Sequence, residues 1–597
     1  MEKRWVIKPQ GDIETVARLA EELRVDPSCN TPSERQAYDI VANLLVQRGV
    51  KTYEEAKHFF RPSLKDLYDP FLINDMDKAV ERISIAMQAS EKVMVYGDYD
   101  VDGITAVALI YSYLQSFYSE LGYYIPDRYT EGYGVSRQGV DYALENDFKL
   151  IICLDCGIKE NQTIAYANSK GIDFIVADHH LPGEKLPEAY AVLDPKREDS
   201  TYPYNELSGC GIGFKLVCAL HKSRGMAFDL LVPYLDLVTM SIASDVVPIT
   251  GENRVLAYWG LKVINRKPRA AVQALLECAN IIHSPWQEEQ SLYFNREITI
   301  NDLVFLIGPR INATGRIESG KEAVELLICK TIDCARKIAQ VINATNDTRK
   351  ELDNEITRQA KQQLFDSEDF LTSRATVVCN DNWHKGVIGI VASRLMDVCY
   401  RPTIVLSRSN GVITGSARSI KGFDIYNAIE QCSDLLEHFG GHKAAAGLVL
   451  KAENLQAFTQ RFKTIAQKEI TGSISPEVEI DMKITLNNIT EKLFRILGQF
   501  APFGQDNNIP IFCSEGLVDT GKAMVVGHNH LKLNAIHLEV RHVPFACIGF
   551  SLGEKYDIIK SCNSFKIVYK IDENSWQGKK QLQLNLKDIK EDNTNNE

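Results

Sequence analysis

Between about residue 76 and residue 215 the chain alternates short apolar runs with amphipathic segments. The runs Val93–Tyr96, Leu150–Leu154, Phe174–Ala177 and Ala191–Leu193 are four or five residues at most and nearly free of charge. That pattern predicts strands buried on both faces. Between them, stretches such as ITAVALIYSYLQSFYSEL carry helical periodicity. The alternation therefore predicts βαβ units and a largely parallel sheet. Ahead of it, the first 75 residues read as a peripheral helical segment, with a Thr-Pro-Ser cap signal opening TPSERQAYDIVANLLVQRGV.

From Lys321 to Lys385 there is neither Gly nor Pro, and Leu352, Ile356, Ala360 and Leu364 recur at every fourth position among charged neighbours. One long amphipathic helix of about 50 Å is expected, bridging two domains. Ala375–Cys379, Pro402–Leu406 and Gly411–Ser416 then resume a strand-rich α/β pattern. Beyond about residue 475, FKIVYKI and QLQLNLKDI alternate apolar and polar residues around a turn-like ENSWQGKK, as a small antiparallel barrel or sandwich would. The expected fold class is multidomain α/β. It divides into a helical segment (1–75), a parallel-sheet domain (76–320), a long interdomain helix (321–370), a second α/β domain (371–470), a C-terminal β-barrel (471–590) and a disordered tail (591–597).

Composition narrows the class without naming a chemistry. A chain of 597 residues exceeds one hydrophobic core. No apolar run approaches a membrane span, and the N-terminus lacks a signal-peptide core. Fourteen scattered cysteines suit buried thiols in a reducing cytoplasm. The one close C-x-x-C, Cys153/Cys156, has no second pair to complete a zinc site. The net charge of −12 weighs against a polyanion partner, although a local basic groove or bound metal overrides a net charge.

The chemistry lies in four acidic stretches, each following an apolar run: Asp98/Asp100/Asp102 in GDYDVDG, Asp155 in LDCG, Asp178-His179-His180 in ADHH, and Asp245 in ASDVVP. Any single Asp after a strand commonly caps the next helix. In an open parallel sheet, however, the strand C-terminal ends share one edge, which brings the first three stretches together. So many acids on one edge are costly unless cations neutralise them. Oxygen ligands mixed with imidazole favour Mn2+ over Mg2+ alone, and the lack of thiolates disfavours zinc. The excess of carboxylates suits two ions about 3.5–4 Å apart, an arrangement that activates water for phosphoester hydrolysis.

Phosphates also need donors. IPDRYTEGYGVS offers Arg128, GPRINATGRIESG offers Arg310, Asn312 and Arg316, TGSARSIKGFD offers Ser416, Arg418 and Ser419, and FGGHKAAAG offers Gly440, Gly441, His442 and Lys443. Alone, each Gly-flanked Arg reads more often as a surface turn, and GGH reads also as a helix start.

In order, GDYDVDG, LDCGI, ADHH and ASDVVP resemble the motifs of the DHH phosphoesterase superfamily, and DYDxDG is similar to its RecJ branch, the single-strand-specific 5′→3′ exonucleases. WHKGVIGIVASRL and GGHKAAAG resemble the DHH-associated domain, and PFGQDNNIP a segment of the OB-fold in the same enzymes. The resemblance implies Asp98, Asp100, Asp102, Asp155, His179 and Asp245 as metal ligands, with Asp155 bridging. It places His180 at the scissile phosphate and Asp178 behind it, orienting its neighbours. Asp100, Asp102, Asp155, His179, His180 and Asp245 form the implied catalytic set. Arg128, Ser416 and Arg418 would grip the 5′ end, within a substrate set that also holds Arg310, Asn312, Arg316, Gly440, Gly441, His442 and Lys443. Tyr96 stands where other branches carry a histidine. In the barrel, Phe503, Phe512, His530 and Lys532 could stack on or pair with a strand, or the Phe residues could be core.

The implied cofactors are two divalent cations, Mn2+ favoured and Mg2+ possible. The implied partner is single-stranded DNA, cleaved to 5′-mononucleotides in repair and recombination within a cleft too narrow for duplex. A single-strand-binding protein and a helicase would accompany a cytoplasmic monomer that needs no membrane. Two rival readings stay open: a hydrolase of short oligonucleotides or cyclic dinucleotides, and a non-catalytic single-strand-binding scaffold.

Overall fold

The computed structural model describes residues 2–24, 32–284, 291–409, 411–472, 474–537, 544–576 and 579–592. The cap residue Thr31, the turn residues Gln577 and Gly578, and residues 593–597 of the expected tail lie outside them. The chain forms two compact units. One comprises Pro70–Asp245 with Gly260–Ser475, and the other Met1–Asp69, Val246–Trp259 and Pro476–Glu597.

The first unit contains the expected parallel sheet. Its strands lie in the spatial order Leu121–Tyr124, Lys92–Gly97, Phe148–Leu154, Asp173–Ala177, Ala191–Leu193, all parallel. Leu121–Tyr124 was not among the expected strands. It is a half-buried edge strand of sequence LGYY, so it lacks the continuous apolar run of its neighbours. In chain order the sheet reads 2-1-3-4-5. The order therefore reverses between Lys92–Gly97 and Phe148–Leu154, and a crevice opens at the C-terminal ends of those two strands. Asp98 and Asp155 directly follow them.

The long helix runs Ile332–Phe365, about 51 Å at 1.5 Å per residue. It begins later than expected because Lys321–Ile328 forms a separate helix. Cys329 leaves helical backbone at ψ 131°, and the Thr331 side chain accepts from the Cys334 N–H to start the new helix. Ile356, Ala360 and Leu364 are buried, with Leu352 packed beside them. They meet the second α/β layer, a sheet ordered His438–His442, Ala445–Lys451, Val412–Arg418, Thr403–Ser409, Thr376–Asn380. Only its last pair is parallel. The GGHKAAAG stretch is the hairpin of this sheet.

In the other unit Phe512–Asp519, His530–His537, Phe545–Gly549, Phe565–Trp576 and Lys579–Glu591 close a five-stranded barrel. Its first strand pairs with both the second and the fourth, and its third and fifth are parallel. That connectivity is a Greek-key barrel of the OB type. The N-terminal segment is not wholly helical, since Arg4–Ile7 pairs in parallel with Glu477–Ile480. Among the described residues no helix is long and apolar enough to cross a membrane.

Candidate metal centre and phosphate pocket

The first acidic loop is built on close packing. A Cβ on Gly97 would lie 2.5 Å from the Val107 side chain, and one on Gly103 would collide with the Asp98 backbone. The loop therefore folds flat against the first turn of helix Val101–Gln115, and its three aspartates take different surroundings. Asp100 caps that helix, its Oδ1 accepting from the Asp102 and Gly103 N–H groups at 2.9 and 3.2 Å. Asp102 is buried and accepts from the N–H groups of Gly209 and Cys210 and from the Ser241 hydroxyl, all at 2.7 Å. Asp98 is buried, and its Oδ1 has no hydrogen-bond partner among the described residues.

Asp155 follows the neighbouring strand in left-handed backbone, φ 60°. Helix Gly209–Ser223 comes so near that a Cβ on Gly209 would sit 2.6 Å from the Asp155 Cβ. From the end of strand Asp173–Ala177, Asp178 turns its carboxylate back on its own loop. Oδ1 accepts from the His179 N–H at 2.8 Å and contacts His180 Nδ1 at 2.7 Å, while Oδ2 accepts from the Ile158 N–H at 3.0 Å. Asp245 ends helix Leu235–Ser244.

These side chains converge. His179 Nε2 lies 3.2 Å from Asp155 Oδ1, 3.6 Å from Asp245 Oδ2 and 3.8 Å from Asp102 Oδ2. Three overlapping donor sets have ligand atoms within 4.8 Å of one another: Asp98, Asp100 and Asp155; Asp102, His179 and Asp245; and Asp155, His179 and His180. Asp155 and His179 each belong to two of them.

The electrostatics of the bare cluster are unfavourable. Burial, then the neighbouring carboxylates, push Asp98 and Asp155 well above the ordinary range and Asp245 up to about 8. Burial holds His179 down at about 4, so its ring is neutral near pH 7. Burial also opposes a charge on His180, but the bond and charge of Asp178 outweigh it and raise that imidazole. Neither ring nitrogen of His179 has a hydrogen-bond partner among the described residues. Buried acceptors without donors, a neutral imidazole and crowded carboxylates together fit divalent cations.

Tyr96 does not belong to this cluster. Its hydroxyl donates to the Gly134 carbonyl at 2.9 Å and accepts from the Ser136 N–H at 3.1 Å, and its ring stacks on Tyr124. It pins the loop that presents Arg128 and Tyr133. Tyr133, absent from the sequence-derived set, is exposed, with its hydroxyl 3.2 Å from His180 Nε2.

Arg128 lies close enough to lower the pKa of Asp98 by its charge. It also belongs to a group of guanidiniums: burial, then Arg128, Arg349 and Arg418, bring Arg316 down to about 10. Arg316 Nη1 donates to the Gly386 carbonyl at 3.1 Å, and the Tyr129 hydroxyl donates to the Arg316 carbonyl. Arg418 Nη1 donates to Ser416 Oγ at 3.1 Å. These two groups face the first turn of helix Ile388–Cys399, where a Cβ on Gly389 would stand 2.8 Å from the Arg418 guanidinium and 2.9 Å from Ser416 Oγ. A helix start without a side-chain cap, a hydroxyl and nearby arginines are groups that can hold an anion.

Arg310 is removed from that set. Its three guanidinium nitrogens donate to Asn343 Oδ1 and the carbonyls of Leu306 and Cys278, so it ties helices together. Asn312 is half-buried on the same helix. Gly440, Gly441, His442 and Lys443 are exposed at the tip of the edge hairpin. There His442 is held below its usual pKa by partial burial and by the charges of His180, Lys159 and Lys196. In the barrel, Phe512 is fully buried and Phe503 packs against the same core, which removes both as stacking groups. His530 instead meets Phe550, 57% exposed, a residue the sequence reading passed over. It also passed over Arg349, in a polar stretch of the long helix, whose charge helps lower the pKa of Arg316.

Residues 92–242 match the DHH family, N-terminal domain, residues 370–468 the DHHA1 domain, and residues 480–588 the RecJ OB domain. The chain is 34% identical to the single-stranded-DNA-specific exonuclease RecJ of Bacillus subtilis over 98% of its length and 70% of that protein's. It is 32% identical to its Escherichia coli counterpart over 95% and 98%. The fold is that of Thermus thermophilus RecJ solved in complex with Mn2+ (TM-score 0.80, 23% identity, covering 98% of this chain and 79% of that one). A second solved structure, an exonuclease RecJ bound to manganese, matches with TM-score 0.57 at 28% identity over 68% of this chain and 97% of that one. With three domains in order and full-length identity above 30%, the chain belongs to the RecJ family of single-stranded-DNA-specific exonucleases.

Proposed function

We propose that the chain hydrolyses single-stranded DNA from its 5′ end to 5′-mononucleotides, using two divalent cations, with Mn2+ preferred. The observation that carries this reading is the pairing, within one unit, of three overlapping cation-binding sets with an arginine-lined anion pocket beside them. Asp98, Asp100, Asp102, Asp155, His179 and Asp245 would hold the cations, and the sharing of Asp155 between two sets supports a bridging role. Bound there, the cations would supply an activated water and stabilise charge on the phosphoryl oxygens.

The chain's own residues do the rest. Asp178 fixes the His180 ring through Nδ1, and the raised pKa of His180 favours an imidazolium that attracts a phosphate oxygen. Arg128, between the acids and the guanidinium group, bridges the reacting phosphate and the strand's end. Arg316, Ser416, Arg418 and the N–H groups at Gly389 grip the 5′-terminal phosphate. His442 lies near enough to His180 to feel its charge, and Lys443 follows it at the exposed hairpin tip.

We assign catalysis to residues 76–320 and strand binding to 371–470 and 471–590. A helicase would expose the substrate and a single-strand-binding protein would hold it, in repair and recombination. We take the working form as a cytoplasmic monomer, and the free thiols of the described cysteines suit a reducing compartment. Curated relatives named as exonucleases match nearly the whole chain, barrel included, which disfavours a hydrolase of dinucleotides. The retained acids disfavour a silent scaffold.

The test uses single strands labelled and blocked at one end or the other, with and without Mn2+. Stepwise release of mononucleotides from free 5′ ends, dependent on the metal, is expected. Digestion from the 3′ end, or a preference for dinucleotides, would refute the proposal.

A further inference from the structure

We propose that Cys329 and Cys334 form a redox-active dithiol, which an oxidant of the peroxide class converts to a disulfide that staples the joint between helix Lys321–Ile328 and the interdomain helix Ile332–Phe365.

The two sulfurs lie 2.8 Å apart. A disulfide bond measures about 2.05 Å, so closure needs a further approach of about 0.8 Å. The helix break creates this proximity. Cys329 ends the first helix and leaves it at ψ 131°, and Cys334 stands in the first turn of the second, its N–H donating to the Thr331 hydroxyl at 3.4 Å. In an uninterrupted helix, residues five apart point about 140° away from each other around the axis.

Access distinguishes this pair. Among the described cysteines Cys334 alone is exposed. The other close pair, Cys153 and Cys156, is buried with its sulfurs 3.3 Å apart, and Cys153 is fixed in the central strand of the parallel sheet. Burial, then the hydrogen bond and charge of Cys334, hold Cys329 up at about 12. Cys329 therefore keeps its proton, and Cys334 is the sulfur that meets the oxidant.

The Cys334 thiolate attacks one peroxide oxygen. The O–O bond breaks, a sulfenic acid forms, and the departing hydroxide takes up a proton as water. Cys329 then attacks the sulfenic sulfur: the S–S bond forms, the S–O bond breaks, and the Cys329 proton leaves with the hydroxyl as a second water. The thiolate charge that helped hold Cys329 protonated is gone by that stage. The two sulfurs give up two electrons in all, and the peroxide takes both. A thiol reductant reverses the bond by exchange, as suits the transient disulfides of a reducing compartment.

The staple sits where it matters mechanically. Helix Lys321–Ile328 packs on Val101–Gln115, whose first turn carries the acidic loop, while Ile356, Ala360 and Leu364 of the interdomain helix pack against the second α/β layer. Oxidation therefore restrains the joint that links the two layers.

The experiment uses the full chain in EDTA, reduced and freed of reductant. It is treated with hydrogen peroxide, alkylated in denaturant and digested with trypsin, which cuts after Lys330, between the two cysteines. Wild type should yield peptide Glu322–Lys330 linked to Thr331–Arg336, with the link lost on adding dithiothreitol, while Cys153 and Cys156 are recovered alkylated. C329S should yield no link and leave Cys334 as a sulfenic acid that dimedone traps. C334S should leave Cys329 alkylatable. Hydrogen exchange over 329–336 should slow in oxidised wild type and stay unchanged in peroxide-treated C334S. No linked pair at peroxide doses that oxidise other cysteines, a disulfide formed as readily at Cys153 and Cys156, or unchanged exchange over 329–336 in the linked protein overturns the proposal.

Discussion

Replacing Asp155 by Asn should make the metal-free protein more stable while abolishing its nuclease activity. The Asp155, Asp98 and Asp100 ligand oxygens lie within 4.8 Å of one another. At an effective dielectric constant of 20, one such pair of full charges repels by about 3.5 kcal/mol. Proton uptake relieves part of this, so the net gain from removing the Asp155 charge is about 2–3 kcal/mol where the cluster is ionised. Asn suits the site, because the φ of 60° at Asp155 is one that Asn adopts readily.

The pH dependence follows from the direction of the shifts. Asp98, Asp155 and Asp245 are raised above the ordinary carboxylate value, so the folded chain keeps protons that the unfolded chain has released. Stability of the metal-free protein therefore falls as pH rises from the unfolded value of 3.8 towards about 8, the raised value for Asp245. Thermal unfolding in EDTA at pH 5.5, 7 and 8.5 should show D155N above wild type by roughly 2–4 °C at the highest pH and by less at the lowest. Added Mn2+ should reverse the order, stabilising wild type more than D155N. A D155N protein no more stable than wild type in EDTA at pH 8.5, or an equal response of both to Mn2+, would refute the shared cation site.

Y96F should cost about 1–3 kcal/mol, because the Gly134 carbonyl and Ser136 N–H lose their shared partner, yet leave Mn2+ affinity unchanged by calorimetry. A loss of affinity would return Tyr96 to the metal site. R310M should lower stability by about 2–3 kcal/mol in denaturant melts without raising KM for a single strand, since its guanidinium serves only the protein. In the barrel, F550A should keep the fold and weaken strand binding by about 1–3 kcal/mol in anisotropy, the worth of one stacked base. F512A should instead destabilise the barrel by about 3–5 kcal/mol, and an F550A protein with undiminished strand affinity would place the stacking surface elsewhere.

The sequence by itself determined the parallel sheet and its site edge. Buried strands announce themselves as apolar runs, and Asp98, Asp155 and Asp178 follow three of these directly. The fold then needs only strand order to bring them together. Sequence also determined the long helix, because nothing in Ile332–Phe365 interrupts its period, although its start was settled by a local contest between continuing past Cys329 and capping on Thr331.

What the tertiary structure decided is which polar groups were left over. Arg310 and Arg316 stand six residues apart on one helix, yet one is spent on carbonyls and the other joins a guanidinium group, a difference set by neighbours distant in sequence. Phe512 and Phe550 differ in the same way, one in the barrel core and one at its surface. Tyr96 belongs to a loop nearly forty residues away in sequence. Local pattern fixes where a side chain starts, because periodicity is a property of the backbone. Its chemical task depends on which acceptors and charges the rest of the fold has already taken.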